Sequence, residues 1–146
     1  MSRVFMMLLT NIAMKRRCDV TRSRKRFQRF FELSDDLLGM AGSDGRLHTA
    51  NQGWEKVVGR DAAALSGEPL TNLMIEEDRP IAQRALDNLI GGQENARFKV
   101  RLIDLNNAPR WTDWHITTDD MGQLYCAVRD VDEEWRREQE LGLARQ

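Results

Sequence analysis

The chain has 146 residues, 41% of them hydrophobic and 31% charged, with a net charge of −1. That balance belongs to a soluble globular protein of one domain with modest tails, and it excludes a disordered chain, a collagen-like repeat and a polytopic membrane protein. The charge is unevenly spread: residues 1–30 carry nine Lys/Arg against Asp19 alone (net +8), whereas residues 31–146 sum to −9. A basic arm before an acidic body suits an anionic surface for the arm and argues against specific nucleic-acid binding by the body.

The first segment, residues 4–14, is a mostly apolar run followed by Lys15, Arg16 and Arg17. It is shorter than the roughly 20 residues of a membrane-spanning helix and lacks the charge order of a signal peptide. Three readings stand for it: an untied leader, a short helix resting on anionic lipid through residues 4–17, or the cytoplasmic end of a longer membrane helix. Cys18 and Cys126 make no disulfide framework and read as reduced thiols of a cytoplasmic protein.

From about Arg22 the pattern is helical, with Phe27, Phe30, Phe31 and Leu33 at spacings of three and four. Residues 37–42 read as a short strand, Ser43-Asp44-Gly45 as a tight turn and residues 46–50 as a second strand. Asn51 closes that strand and suits a cap for a helix over residues 53–58, stopped by Gly59. A short helix capped by Asp61 follows, then a connecting segment over residues 70–75. A longer helix opens on Glu76, Glu77 and Asp78 and runs through Leu86 to Ile90. Residues 96–105 alternate, with Phe98, Val100 and Leu102 on one face and Arg97, Lys99 and Arg101 on the other. Strands over residues 110–117 and 123–131 complete the β portion, and a charged helix begins at Asp132. This order predicts an α+β fold, a five-stranded antiparallel sheet with short helices on one face and helices at both ends.

Five segments also carry a likeness. Residues 31–45 read as an opening helix, strand and turn. Asn51 and Trp54 precede Gly59, and Glu76-Glu77-Asp78-Arg79 opens the long helix. Arg110-Trp111 and Trp114 share a strand, and Arg129-Asp130-Val131-Asp132 ends the last one. In this order they resemble the motifs of the PAS (sensory box) family, over about residues 27–140. Two departures are the missing His-Pro before the long helix and Asp132 where that family's exit motif has Thr.

The resemblance implies a sensory module of the kind found upstream of bacterial sensor histidine kinases and diguanylate cyclases. It relays a signal through flanking helices, in a homodimer. It divides the chain into a basic arm (1–26), a PAS-like domain (27–131) and an output-type helix (132–146). A ligand would sit between the sheet's inner face (Met40, Leu47, Phe98, Val100, Leu102) and the helices around Trp54, Leu73, Met74 and Leu86. The resemblance puts Asp130 where strand becomes output helix. There Asp132 can cap that helix, with Glu133 and Glu134 in its first turn.

Haem-binding relatives use a histidine on or near the long helix, and residues 78–90 have none; His48 and His115 stand alone. Flavin-photochemical relatives need a cysteine before that helix, where this chain has Asn72-Leu73-Met74. Haem and photoactive flavin are thus disfavoured, and the ligand is left unnamed. Trp111 and Trp114 are an odd number apart, so one faces the interior and the other a flanking helix or partner. Arg97, Lys99 and Arg101 read as a solvated strand face. The carboxylates of Asp35-Asp36, Glu76-Glu77-Asp78 and Asp119-Asp120 read as caps and turns, so no catalysis is expected. The expected partners are a second copy, a kinase or cyclase, and a weak membrane-surface contact through residues 4–17. The competing reading is a ligand-free interaction scaffold whose pocket is filled by its own side chains.

Overall fold

The computed structural model describes residues 20–144, with side chains to residue 142. The readings for residues 4–17 and for Cys18 lie outside the described residues. Helix α1 occupies residues 20–33 and belongs to a first unit, residues 1–33. Along it Phe27 and Phe31 stack with ring centroids 5.7 Å apart, and Phe30 and Leu33 are exposed.

The second unit, Ser34–Gln146, contains a five-stranded antiparallel sheet in the order β2-β1-β5-β4-β3. Its strands are β1 (Leu37–Ala41), β2 (Leu47–Ala50), β3 (Asn95–Ile103), β4 (Pro109–Thr118) and β5 (Leu124–Asp130). Three hairpins share one local chemistry, an aspartate that accepts backbone N–H groups just ahead of it. Asp44 accepts from Arg46 N at 3.0 Å, Asp104 from Asn106 N and Ala108 N at 2.9 Å each, and Asp119 from Met121 N and Gln123 N. Asn107 takes a φ of 58° within its turn, a conformation asparagine tolerates.

Between β2 and β3 run α2 (Gly53–Val58), α3 (Ala62–Leu65), two 3-10 helices (Leu70–Leu73 and Glu76–Asp78) and α4 (Arg79–Ile90). α3 is capped as expected, Asp61 accepting from Ala64 N at 2.9 Å. The long helix begins at Arg79 rather than Glu76, because the acidic triplet is spent on the second 3-10 turn. α4 buries Ala82, Leu86 and Leu89. Asn51, read as a helix cap, instead joins two strands. Its Oδ1 accepts from Leu38 N at 3.0 Å, and its Nδ2 donates to Asp36 O at 3.0 Å, fixing where β1 begins.

The connector between α3 and α4 pairs with both outer strands. Leu47 N donates to Glu68 O and Gly67 N to Leu47 O, beside a bridge between Arg46 and Pro69. At the opposite edge Ile75 N donates to Arg101 O, beside a bridge between Met74 and Leu102. Leu70, Leu73 and Met74 of this segment face inward and are almost fully buried. Exposed backbone on an edge strand invites unwanted pairing, and covering it with a loop is one remedy.

α5 (Asp132–Ala144) leaves the end of β5.

Candidate functional site

Most of the side chains expected around a ligand meet in the interior. Leu47, Trp54, Leu73, Met74, Val100 and Leu102 are at most 1% exposed. With Leu86 they form part of one apolar cluster, against which Phe98 packs. Met40 departs from this set. β1 buries Leu37, Gly39 and Ala41 and leaves Met40 on its other face, partly buried. The inward position is held by Gly39. A Cβ there would stand 2.8 Å from Leu47 Cδ1, 3.0 Å from Thr49 O and 3.4 Å from Trp54 Cζ2. The Trp54 indole and Leu47 fill the volume that a larger β1 side chain would need, so the phase of the strand follows its glycine and not its methionine.

Trp54 and Trp114 meet edge to face with centroids 6.0 Å apart, and Trp114 stacks on Phe98 at 5.7 Å. Buried indole N–H groups need acceptors. Trp54 Nε1 donates to Leu38 O at 2.8 Å. Trp114 Nε1 donates to Thr112 Oγ1 at 2.9 Å, and that hydroxyl donates to Val100 O at 2.7 Å. The two indoles of the interior are thus each locked in direction by a hydrogen bond, with Phe98 stacked on one of them.

Openings among the described residues include the following two. Leu86 lines a cavity of about 100 Å³ with Asp44, Gly45 and Pro69. An open groove of about 630 Å³ lies where the end of α4 meets the β4–β5 turn, lined largely by polar groups including Gln93, Asn95, Thr118 and Asp119. None of the expected ligand-pocket residues lines the larger groove.

A second constellation joins the sheet to α5. Asp132, expected as a cap, reaches across to β4, where its Oδ1 accepts from Trp111 N at 3.1 Å. Its Oδ2 pairs with Arg136 Nε at 2.8 Å, one turn along α5. The capping bond falls to Asp130, whose Oδ1 accepts from Asp132 N at 3.2 Å and whose Oδ2 pairs with Arg110 Nε at 2.6 Å. The cap read for Asp132 is thus corrected, while Asp130 lies at the junction of strand and helix. Asp130 ends the strand and starts the helix, while buried Asp132 fastens that helix to the neighbouring strand. Arg110 lies above its ordinary pKa, first through the Asp130 hydrogen bond, with desolvation opposing.

Trp111, on the face opposite Trp114, stacks on Trp135 of α5 with centroids 5.0 Å apart. The Arg101 guanidinium lies 5.1 Å from the centre of the Trp111 ring, within cation–π range. Arg101 is more than a solvated stripe residue. Its Nε and NH2 donate to both oxygens of Asp78 at 2.9 and 2.8 Å, and its backbone N donates to Asp78 Oδ2 at 2.7 Å. Asp78 is buried, and the fork holds its carboxyl below the usual carboxylate range, the Arg101 side-chain hydrogen bond outweighing desolvation. Arg97 and Lys99 are exposed. A line of contacts thus runs from Asp78 at the start of α4 through Arg101 and Trp111 to Trp135 on α5. The odd spacing of the tryptophans gave their opposite faces; the partner of Arg101, 23 residues away, carried no local signal.

Cys126 is buried on β5, and desolvation pushes its thiol up to about 12. Among the described residues no three His, Cys, Asp or Glu side chains gather as a metal site. Among them, too, no helix is long and apolar enough to cross a membrane.

Several solved structures share this fold. A PAS domain from Colwellia psychrerythraea is 16% identical, with a TM-score of 0.67 over 75% of this chain and 97% of that one. A domain of a sensory box sensor histidine kinase/response regulator from Geobacter sulfurreducens is 15% identical, with a TM-score of 0.67 over 76% and 96%. The PAS domain of the quorum-sensing receptor RpfR from Cronobacter turicensis, solved in complex with C12:0, is 12% identical, with a TM-score of 0.61 over 67% and 95%. At such identities the likeness is one of fold. No curated protein sequence matches the chain. Residues 31–136 match the family model described as the PAS fold, and with the sheet order and hairpins above the chain belongs to that family of sensory and signalling modules.

Proposed function

We propose that the chain is a signal-transduction module whose output is the packing of α5 on the sheet. The observation that carries this reading is the junction at Trp111. One residue of β4 gives its backbone N–H to Asp132 and its ring to Trp135, both on α5. Anything that shifts β4 acts on the start and the first turn of α5 together. A signal then acts by shifting a two-state equilibrium between docked and released α5. Asp130 and Asp132 are the relay residues, a second copy of the chain is the first partner, and a kinase or cyclase is the downstream one.

On the input side, a small apolar ligand would enter among Trp54, Leu73, Met74 and Leu86. The Cronobacter relative is solved with C12:0, and an acyl chain suits a lining of this composition. The second reading, a ligand-free interaction scaffold, is favoured by the interior itself, where Trp54 and Trp114 are fully buried and interlocked.

Native mass spectrometry of the full chain separates the two. An added mass on the gently purified protein supports the ligand sensor, and a clean protein mass supports the scaffold. The relay fails if Asp132→Ala and Trp135→Ala leave both dimerisation and the amide protection of α5 unchanged.

A further inference from the structure

We propose that α1 is a docking surface for an anionic membrane, with residues 20–33 lying in the headgroup layer. The reading is independent of the relay. At 3.6 residues per turn, Val20, Phe27, Phe30 and Phe31 fall within an arc of about 100° with Arg24 at its edge, and Arg22, Lys25, Arg26 and Arg29 within another on the far side. Val20, Phe27 and Phe30 are 53%, 57% and 75% exposed, Phe31 is buried at 8%, and Leu33, 77% exposed, falls on the basic side. An exposed aromatic face set against a basic one is the pattern of a helix that rests at an interface. Spanning is not open to it, since no described helix is long and apolar enough to cross a membrane.

Charge selects the occupant. Residues 1–33 hold nine basic and two acidic side chains, a net +7, and residues 34–146 hold 13 and 21, a net −8. Two copies of α1 joined through the phenylalanine face would leave the basic arc on the far side without an opposite charge, Glu32 being the one acid on each helix. Anionic lipid supplies both the opposite charge and an apolar layer for the phenylalanines. The sequence just upstream, an apolar run over residues 4–14 and then Lys15, Arg16 and Arg17, repeats the same chemistry. Two such signals together give the stable attachment that one alone does not.

The test is co-sedimentation of the full chain with phosphatidylcholine vesicles, with and without phosphatidylglycerol. Binding is expected only where phosphatidylglycerol is present and is expected to weaken as salt is raised. Phe27→Ser/Phe30→Ser and Arg22→Glu/Arg29→Glu, all at exposed positions, should each weaken it by about tenfold or more. Equal binding to neutral vesicles, or none, overturns the proposal. So does full binding by both double variants, which would assign the contact to residues 4–17. A dimer that dissolves in Phe27→Ser/Phe30→Ser without vesicle binding by either protein would make the face a self-association surface instead. Retention of single-stranded RNA that these phenylalanine changes leave unaltered, in a chain that ignores vesicles, would make the occupant a nucleic acid.

Discussion

Trp135 of α5 lies against Trp111 of β4, their ring planes inclined by 30° and their centroids 5.0 Å apart. Trp111 is also the ring that the Arg101 guanidinium approaches, and Arg101 is gripped by Asp78. The start of α4 and the first turn of α5 therefore share one aromatic residue between them, although they come from opposite sides of the β3–β4 hairpin in sequence.

Trp135→Ala should release α5 while leaving the sheet folded. An aromatic pair contributes about 0.5–1.5 kcal/mol beyond its buried area. Hydrogen exchange should show protection in α5 falling by about tenfold, with β4 and β5 little changed. Trp111→Ala should do the same, and the two changes together should cost less than their sum. Strict additivity would mean that the rings touch without coupling.

The Asp78–Arg101 fork predicts an acid-side loss of stability. A carboxyl whose folded pKa is depressed stabilises the fold fully above its unfolded value, near 3.9, and loses that contribution as pH falls through the folded value. The urea midpoint should therefore drop on acidification below about pH 4, and more steeply than in Asp78→Asn. At neutral pH that variant should be less stable by about 2 kcal/mol, having lost charged hydrogen bonds to a guanidinium and a backbone N–H. A stability gap between the two proteins that stays constant from neutral to acid pH would contradict the assignment.

Gly39 and Met40 should respond in the order opposite to their sizes. Gly39→Val drives atoms into Leu47 and Thr49 O and should cost about 1–3 kcal/mol by overpacking. Met40→Ala, on the outer face, should cost less. Thermal unfolding of the two variants decides it, and a costlier Met40→Ala would place the inner face wrongly.

Cys126 should be silent in the folded protein. With its thiol pushed up to about 12 and its side chain buried, alkylation near pH 8 should proceed only through unfolding. In a Cys18→Ser background, iodoacetamide should leave the native chain unmodified over a time in which the urea-unfolded chain reacts fully. Rapid labelling of the native protein would mean that β5 opens readily.

What the sequence revealed divides along a physical line. Alternation over Arg97 to Leu102 and the Asp-led turns are local, so strands and hairpins could be read directly. The inward face of Phe98, Val100 and Leu102 follows from the same periodicity, and the rest of the expected interior from the resemblance. The Asp78–Arg101 fork, the tie from Asn51 to β1 and the bond from Asp132 to β4 all depend on partners brought near only by folding. Acidic residues at a helix start look like caps whatever else they bind. Met40 misleads for a related reason, since hydrophobicity names the apolar residues of a short strand but not which of them a distant tryptophan leaves room for.

The connector that touches both outer strands limits the girth of the domain. Pro69 and Met74, which bridge to opposite edges, are five residues apart and can be separated by no more than about 18 Å. Laid flat, five strands with a flanking segment on either side would put six strand spacings, about 29 Å, between those two points. The sheet must therefore be rolled until its edges come within reach, and backbone pairing runs around it as a hoop with the connector as its clasp. Neither outermost strand can recruit a foreign strand at those bridges without opening the clasp.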